Sequence, residues 1–128
     1  MIPLNEYQEK IYSLIKEGLK GVKVYDDVPK NAKLPLVILG DYILSNGLTK
    51  MTSYKITQSI DIYSNYEGKK EINELVSKSI NSTSLIFNTD INEDWYVCSL
   101  VLLESNISRL DEFYAANLKF EIEIERKY

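Results

Sequence analysis

Side chains able to do chemistry are sparse in this sequence, and those that could cooperate are acidic. In "TDINEDWY" the residues Asp90, Asn92 and Asp94 have the spacing of the first three ligands of a calcium loop, where alternate oxygens converge on one hard cation. Such a loop also needs glycine at its sixth position and a bidentate glutamate at its twelfth, and this chain has Trp95 and Val101 there. The pattern therefore reads as a turn ahead of a strand, and no metal ligand is assigned. Asp26 and Asp27 form a second acidic pair. Together with Asp90 and Asp94 they are the candidates for carboxylate-only catalysis, which requires two of them to pair within a cleft.

Other reactive sets cannot be assembled. Histidine is absent, which removes Ser-His and Cys-His nucleophile pairs, the commonest general base and the usual zinc sites. Five glycines scattered singly make no Walker or dinucleotide phosphate loop. The lone cysteine, Cys98 in "WYVCSLVLL", reads as a small buried hydrophobe in a reducing compartment. No catalytic residue and no cofactor is expected, and the chain is not read as an enzyme.

Fifteen basic residues against nineteen acidic ones leave a net charge of −4, the wrong sign for gripping a phosphate backbone over a wide surface. A length of 128 residues supports one core, so a single domain over residues 1–128 is expected. The longest apolar run falls well short of the ~20 residues of a spanning helix. The first residues, "MIPLNEYQEKIY", show no basic segment followed by an apolar one, so the expected location is the cytoplasm.

The elements that would carry any site follow from periodicity. Tyr7, Ile11, Leu14, Ile15 and Leu19 make a helical stripe over residues 5–19, and Ile72, Leu75, Val76 and Ile80 make a second one between Gly68 and the stop "NSTS". Tyr54, Ile56, Ile60 and Ile62 alternate with polar neighbours, as do Tyr114, Ala116, Leu118, Phe120, Ile122 and Ile124. Residues 95–103 are apolar on both faces, as in a central strand or one whose outer face a partner covers. Strands over 22–25 and 34–44 complete the order α-β-β-β-α-β-β, with a possible extra strand at 85–87. The fold class is α+β, a mainly antiparallel sheet with two helices on one face.

The stretch "VKVYDDVPKNAKLPLVILGD" is a corner. Pro29 and Pro35 extend the residues before them, and "KNAK" turns between two straight pieces. The same corner resembles the tail completion, or tail terminator, proteins of long-tailed phages and prophages. The residues that carry the likeness are Val24-Tyr25, Val28-Pro29, Leu34-Pro35, Val37-Ile38 and Gly40. It continues through "ITQSIDIYS", Gly68 opening a helix, Leu85 after it, and the closing "LKFEIEIE". Leu36 stands where the family often has an aromatic, and "RLDEFYAAN" lacks its frequent Asp-Gly turn.

The resemblance implies a structural subunit that caps the tail tube and joins it to the head, as a six-fold ring. Its partners would be further copies, the tail tube protein and the head-closure or connector proteins, with duplex DNA passing through unbound and no membrane involved. Its place would be the virion tail. Two alternatives are a head-closure or minor capsid component, and a small ligand- or peptide-binding module, which would show a deep apolar pocket. Asn46-Gly47 is the strongest hairpin-turn signal. It predicts an arm over 43–54 that projects from the sheet, with Leu44, Asn46, Gly47, Leu48, Lys50 and Met51 as its candidate assembly residues.

Overall fold

The computed structural model describes residues 1–48 and 52–128. Lys50 and Met51 lie outside the described residues. The two helical stripes form α1 (Leu4–Gly18) and α2 (Lys70–Ser84). The strands are β1 (Lys23–Tyr25), β2 (Leu36–Asn46), β3 (Ser53–Ser64), β4 (Trp95–Leu110) and β5 (Phe113–Arg126). They form one sheet in the order β1-β2-β3-β5-β4, antiparallel except where β1 runs parallel to β2. This is the α+β arrangement expected from the periodicity.

Alternation decides which side the helices cover. Ile56, Ile60 and Ile62 of β3 and Leu118, Phe120, Ile122 and Ile124 of β5 point to one face and are buried. Tyr7, Ile11 and Ile15 of α1 and Ile72 and Leu75 of α2 complete the same cluster, so both helices lie on that face. Each such isoleucine contributes about 1.5–3 kcal/mol by leaving water. β5 is paired along its length on both sides, from Ser64↔Tyr114 to Ser53↔Glu125 with β3 and from Leu110↔Phe113 to Trp95↔Arg126 with β4. Its helix face is buried as a result.

The two helices approach closely at one point. A β-carbon at Gly18 would overlap the Ser82 hydroxyl. The "NSTS" segment, expected to stop α2, instead stays helical because its small side chains let α1 in. Ser82 and Ser84 donate back to the carbonyls of Lys78 and Ile80, one turn earlier.

Residues 85–87 are not a strand. Successive amides of Leu85, Ile86 and Phe87 bond to Ser82, Thr83 and Ser84, continuing the helix as tight turns that bury Ile86 alone. The corner expected at 26–35 is present: it returns the chain so that β1 lies beside the start of β2, with an Ala32-to-Pro29 turn inside it and a cis Leu34–Pro35 peptide. The apolar segment beginning at Trp95 is the edge strand of the sheet and not a central one, and it runs seven residues beyond 103, to Leu110.

Candidate assembly interface

Of the candidates singled out by spacing, Asp26, Asp90 and Asn92 are engaged in structural contacts through their side chains. Asn92 Oδ1 accepts the amides of Asp94 and Trp95, closing a turn in front of β4, and its amide nitrogen donates to Glu6. Asp90 pairs with Lys127 at 2.9 Å. Asp26 accepts from Gln8 and lines an open groove of about 480 Å³ with Asn5, Gln8, Glu9 and Tyr12, where neither Asp27, Asp90 nor Asp94 joins it. Among the described residues, no group of three His, Cys, Asp or Glu is placed to hold a metal ion.

Cys98 sits at a β-bulge in β4, between the pairs Val97↔Ile124 and Ser99↔Glu123, and its thiol donates to the Glu123 carbonyl at 3.5 Å. It is half-buried. Burial first, and then the Glu123 and Glu125 carboxylates, push the thiol up to about 11. It stays protonated near neutrality, which makes it a poor nucleophile.

Of the segment expected to project as an arm, residues 43–46 and 53–54 belong to the sheet. Leu44 and Asn46 pair with Ile56 and Tyr54 of β3, and Tyr54 pairs in turn with Ile124 of β5. Asn46 ends a strand, and neither it nor Gly47 takes a positive φ, so no tight two-residue turn forms here. The connection is longer than two residues, since β2 ends at Asn46 and β3 begins at Ser53, and the backbone of Gly47 and Leu48 lies over the sheet face opposite the helices. The Gly47 amide bonds to the Ser53 carbonyl and the Leu48 amide donates to Glu123 Oε2 at 3.1 Å. A β-carbon at Gly47 would press on Ser53 and Glu123, so this glycine serves a close approach. Leu48 points outward and is 86% exposed.

Two strand edges are open. Reading the sequence offered a partner-covered strand at 95–103 as one of two alternatives, and it missed residues 104–110 and the free stretch of β2. The first half of β4 is capped on its outer side by residues 88–91, through Asn88 and Thr89 bonding to Val97 and the Asp90↔Tyr96 bridge. Beyond that, residues 101–110 are exposed on both faces, with Val101, Leu102, Leu103, Ile107 and Leu110 among them. At the other side of the sheet β1 covers only Leu36 to Ile38 of β2. Residues 41–46 are exposed there, with Tyr42, Ile43 and Leu44 apolar and Ile43 68% exposed. A usable signal was the length of β5: a hairpin partner of equal length, joined by the two residues Asp111 and Glu112, requires β4 to reach 110. Asp111 takes the left-handed conformation (φ 47°) that this short connection demands.

Apolar residues on both faces of an exposed edge strand are what a sheet shows where another chain covers it. Within the sheet the opposite face is polar and mildly acidic. Ion pairs there join Lys55 to Glu121 at 3.6 Å and Lys119 to Glu104 at 3.9 Å, while Asp61 accepts from Asn117.

No protein-family model matches the chain, and no curated protein does. Among solved structures it is similar to a chain of the structure described as the virion of a native gene transfer agent particle. The TM-score is 0.63 at 16% identity, covering 97% of this chain and 94% of that one. The likeness spans both helices and the whole sheet, and what it establishes is the fold. Among the described residues no helix is long and apolar enough to cross a membrane.

Proposed function

We propose that the chain is a structural virion protein that completes the end of a phage-type tail and joins it to the head, as a ring of six copies, without enzymatic activity. The observation that carries this reading is the distal half of β4, an apolar strand open on both faces and along its outer edge. A free-standing monomer has no use for such a strand, whereas an assembly subunit does. The sequence resemblance to tail completion proteins and the fold shared with a chain of a gene transfer agent virion support the same conclusion.

Within that reading the subunit assembles in the host bacterial cytoplasm and ends in the virion tail. Its neighbours are further copies, the tail tube protein and the head-closure or connector proteins. The contact along the tail axis is the β2–β3 connection, with Leu44, Asn46, Gly47, Leu48, Lys50 and Met51 as its residues; Leu48 offers an apolar side chain there with its backbone pinned by Glu123. Duplex DNA passes without specific binding, because a face with Asp61, Glu104, Glu121 and Glu125 against Lys55 and Lys119 does not hold phosphates.

The test is electron microscopy of particles produced with and without the chain. Filled heads and separate tails are expected in its absence, with the chain found by antibody labelling at the head-proximal tail end when it is present. Fully joined particles made without it overturn the reading, and labelling within the head shell moves it to the capsid.

A further inference from the structure

The two open strand edges are complementary. β4 is capped at its beginning and free over 101–110, while β2 is capped by β1 at its beginning and free over 41–46. Through the pairings of the sheet, the free part of β2 lies level with the capped end of β4, so the open edges occupy diagonally opposite corners. Each is apolar on both faces. On the helix side β4 offers Leu102 and Ile107 and β2 offers Tyr42 and Leu44; on the opposite side β4 offers Val101 and Leu110 and β2 offers Ile43. Neither free stretch contains a lysine or proline, the residues that commonly guard an edge.

We infer that the outer edge of β4 in one copy pairs with the free edge of β2 in the next copy of the same chain. Within one sheet β4 runs antiparallel to β2, and a rotation about an axis to which the strands are tilted keeps that sense while offsetting the two edges along the strands, so the new pair is antiparallel and its free stretches meet. That direction sets Arg109 near the end of β4 alongside Asp41 at the start of the free part of β2, which places opposite charges together. An open groove of about 870 Å³ already follows β2 past Ile38, Leu39, Gly40, Asp41, Tyr42 and Ile43. The contact joins two different patches, so it propagates head to tail and closes on rotation into a ring with no edge left over. The diagonal offset is the stagger that a closed sheet requires. The inference deepens the ring reading by naming its contact.

The test uses two double variants at exposed positions, Val101→Lys/Leu103→Lys on β4 and Ile43→Lys/Ser45→Lys on β2, followed by sedimentation velocity over a range of concentrations. The wild-type chain is expected to associate beyond a dimer, and each variant alone to remain monomeric. An equimolar mixture is expected to form a one-to-one dimer, because each variant keeps the edge the other has lost. A second set with glutamate in place of lysine repeats the experiment with reversed charge, and circular dichroism checks that each chain is folded. A monomeric wild type, a variant that still associates, or folded variants that stay monomeric when mixed would each overturn the inference. Particles that join heads to tails with both edges blocked would remove this contact while leaving the functional reading in place.

Discussion

At Gln58 the helix-facing side of the sheet carries an amide among isoleucines, and every polar atom of it is used. Its oxygen accepts from the Tyr7 hydroxyl at 3.0 Å, and its nitrogen donates to the carbonyls of Gly40 and Ser59 at 2.9 Å each. Gly40 lies where the β2–β3 register shifts, so the amide satisfies a carbonyl that the ladder leaves over. Tyr7→Phe is expected to cost about 1–3 kcal/mol in chemical denaturation, since it strands the Gln58 oxygen in the core. A change near zero would show that the hydrogen bond is not holding the helix to the sheet. Burial, with the neighbouring Tyr42 second, also raises the Tyr7 phenol well above its ordinary 10.0. The Cys98 thiol is likewise raised, from 9.0 to about 11. Both groups favour their neutral forms when folded, so the stability linked to Cys98 is complete below pH 9 and is lost as pH rises toward 11. Iodoacetamide labelling of the native chain should therefore be slow at pH 8 and quicken through pH 10. Fast labelling at pH 8 would place the thiol in a more open setting. Polarity of side-chain type hid Gln58 among the core positions of the sequence, although its place in the alternation was the correct one.

Helix α2 meets the sheet through Ile72 and Leu75, which are 0% and 4% exposed. Replacing either with alanine is expected to lower stability by about 2–5 kcal/mol in denaturant titration. A shift below half a kcal/mol would mean that the helix does not sit on this face. Farther along the same helix, the hydroxyls of Ser79 and Thr83 are buried with no hydrogen-bond partner among the described residues. Thr83→Val keeps the shape and removes a stranded hydroxyl, so a gain of about 1 kcal/mol is expected in the same titration, and a loss would reveal a partner for it. Both helices and the alternating strands β3 and β5 were legible because period and burial coincide in them. The end of β4 was not, since an edge strand open on both faces leaves no alternation to read in "ESNISRL". Asn46-Gly47 misled for a different reason: the glycine is required by a close approach to Ser53 and Glu123, and glycine composition alone does not distinguish that from a tight turn. Among the candidate residues, spacing brought Asp90, Asn92 and Asp94 into one turn but could not say that Lys127 pairs with Asp90 and that the amides of Asp94 and Trp95 bond to Asn92.

On the scale of the whole molecule, function is expected to rest on contacts that contribute little to the stability of one subunit. Leu48 is exposed and supports no core, so Leu48→Ser together with Met51→Ser should leave the thermal midpoint of the isolated chain unchanged while particle assays show heads and tails unjoined. Joined particles from that variant would exclude the β2–β3 connection as the axial contact. The ends of the sheet are also unlike one another. One carries that connection together with Asp94 and Lys127, whose backbones bond there, and the other carries the Asp111–Glu112 turn and the start of α2. A copy turned upside down would make the new strand pair parallel and would set its helices on the face opposite to its neighbour's. Neighbours can therefore join in a single orientation. A ring built on the proposed contact has two chemically different rims, and so a built-in polarity: every copy shows the same rim on one side and the other rim on the opposite side, with no further component needed to tell up from down.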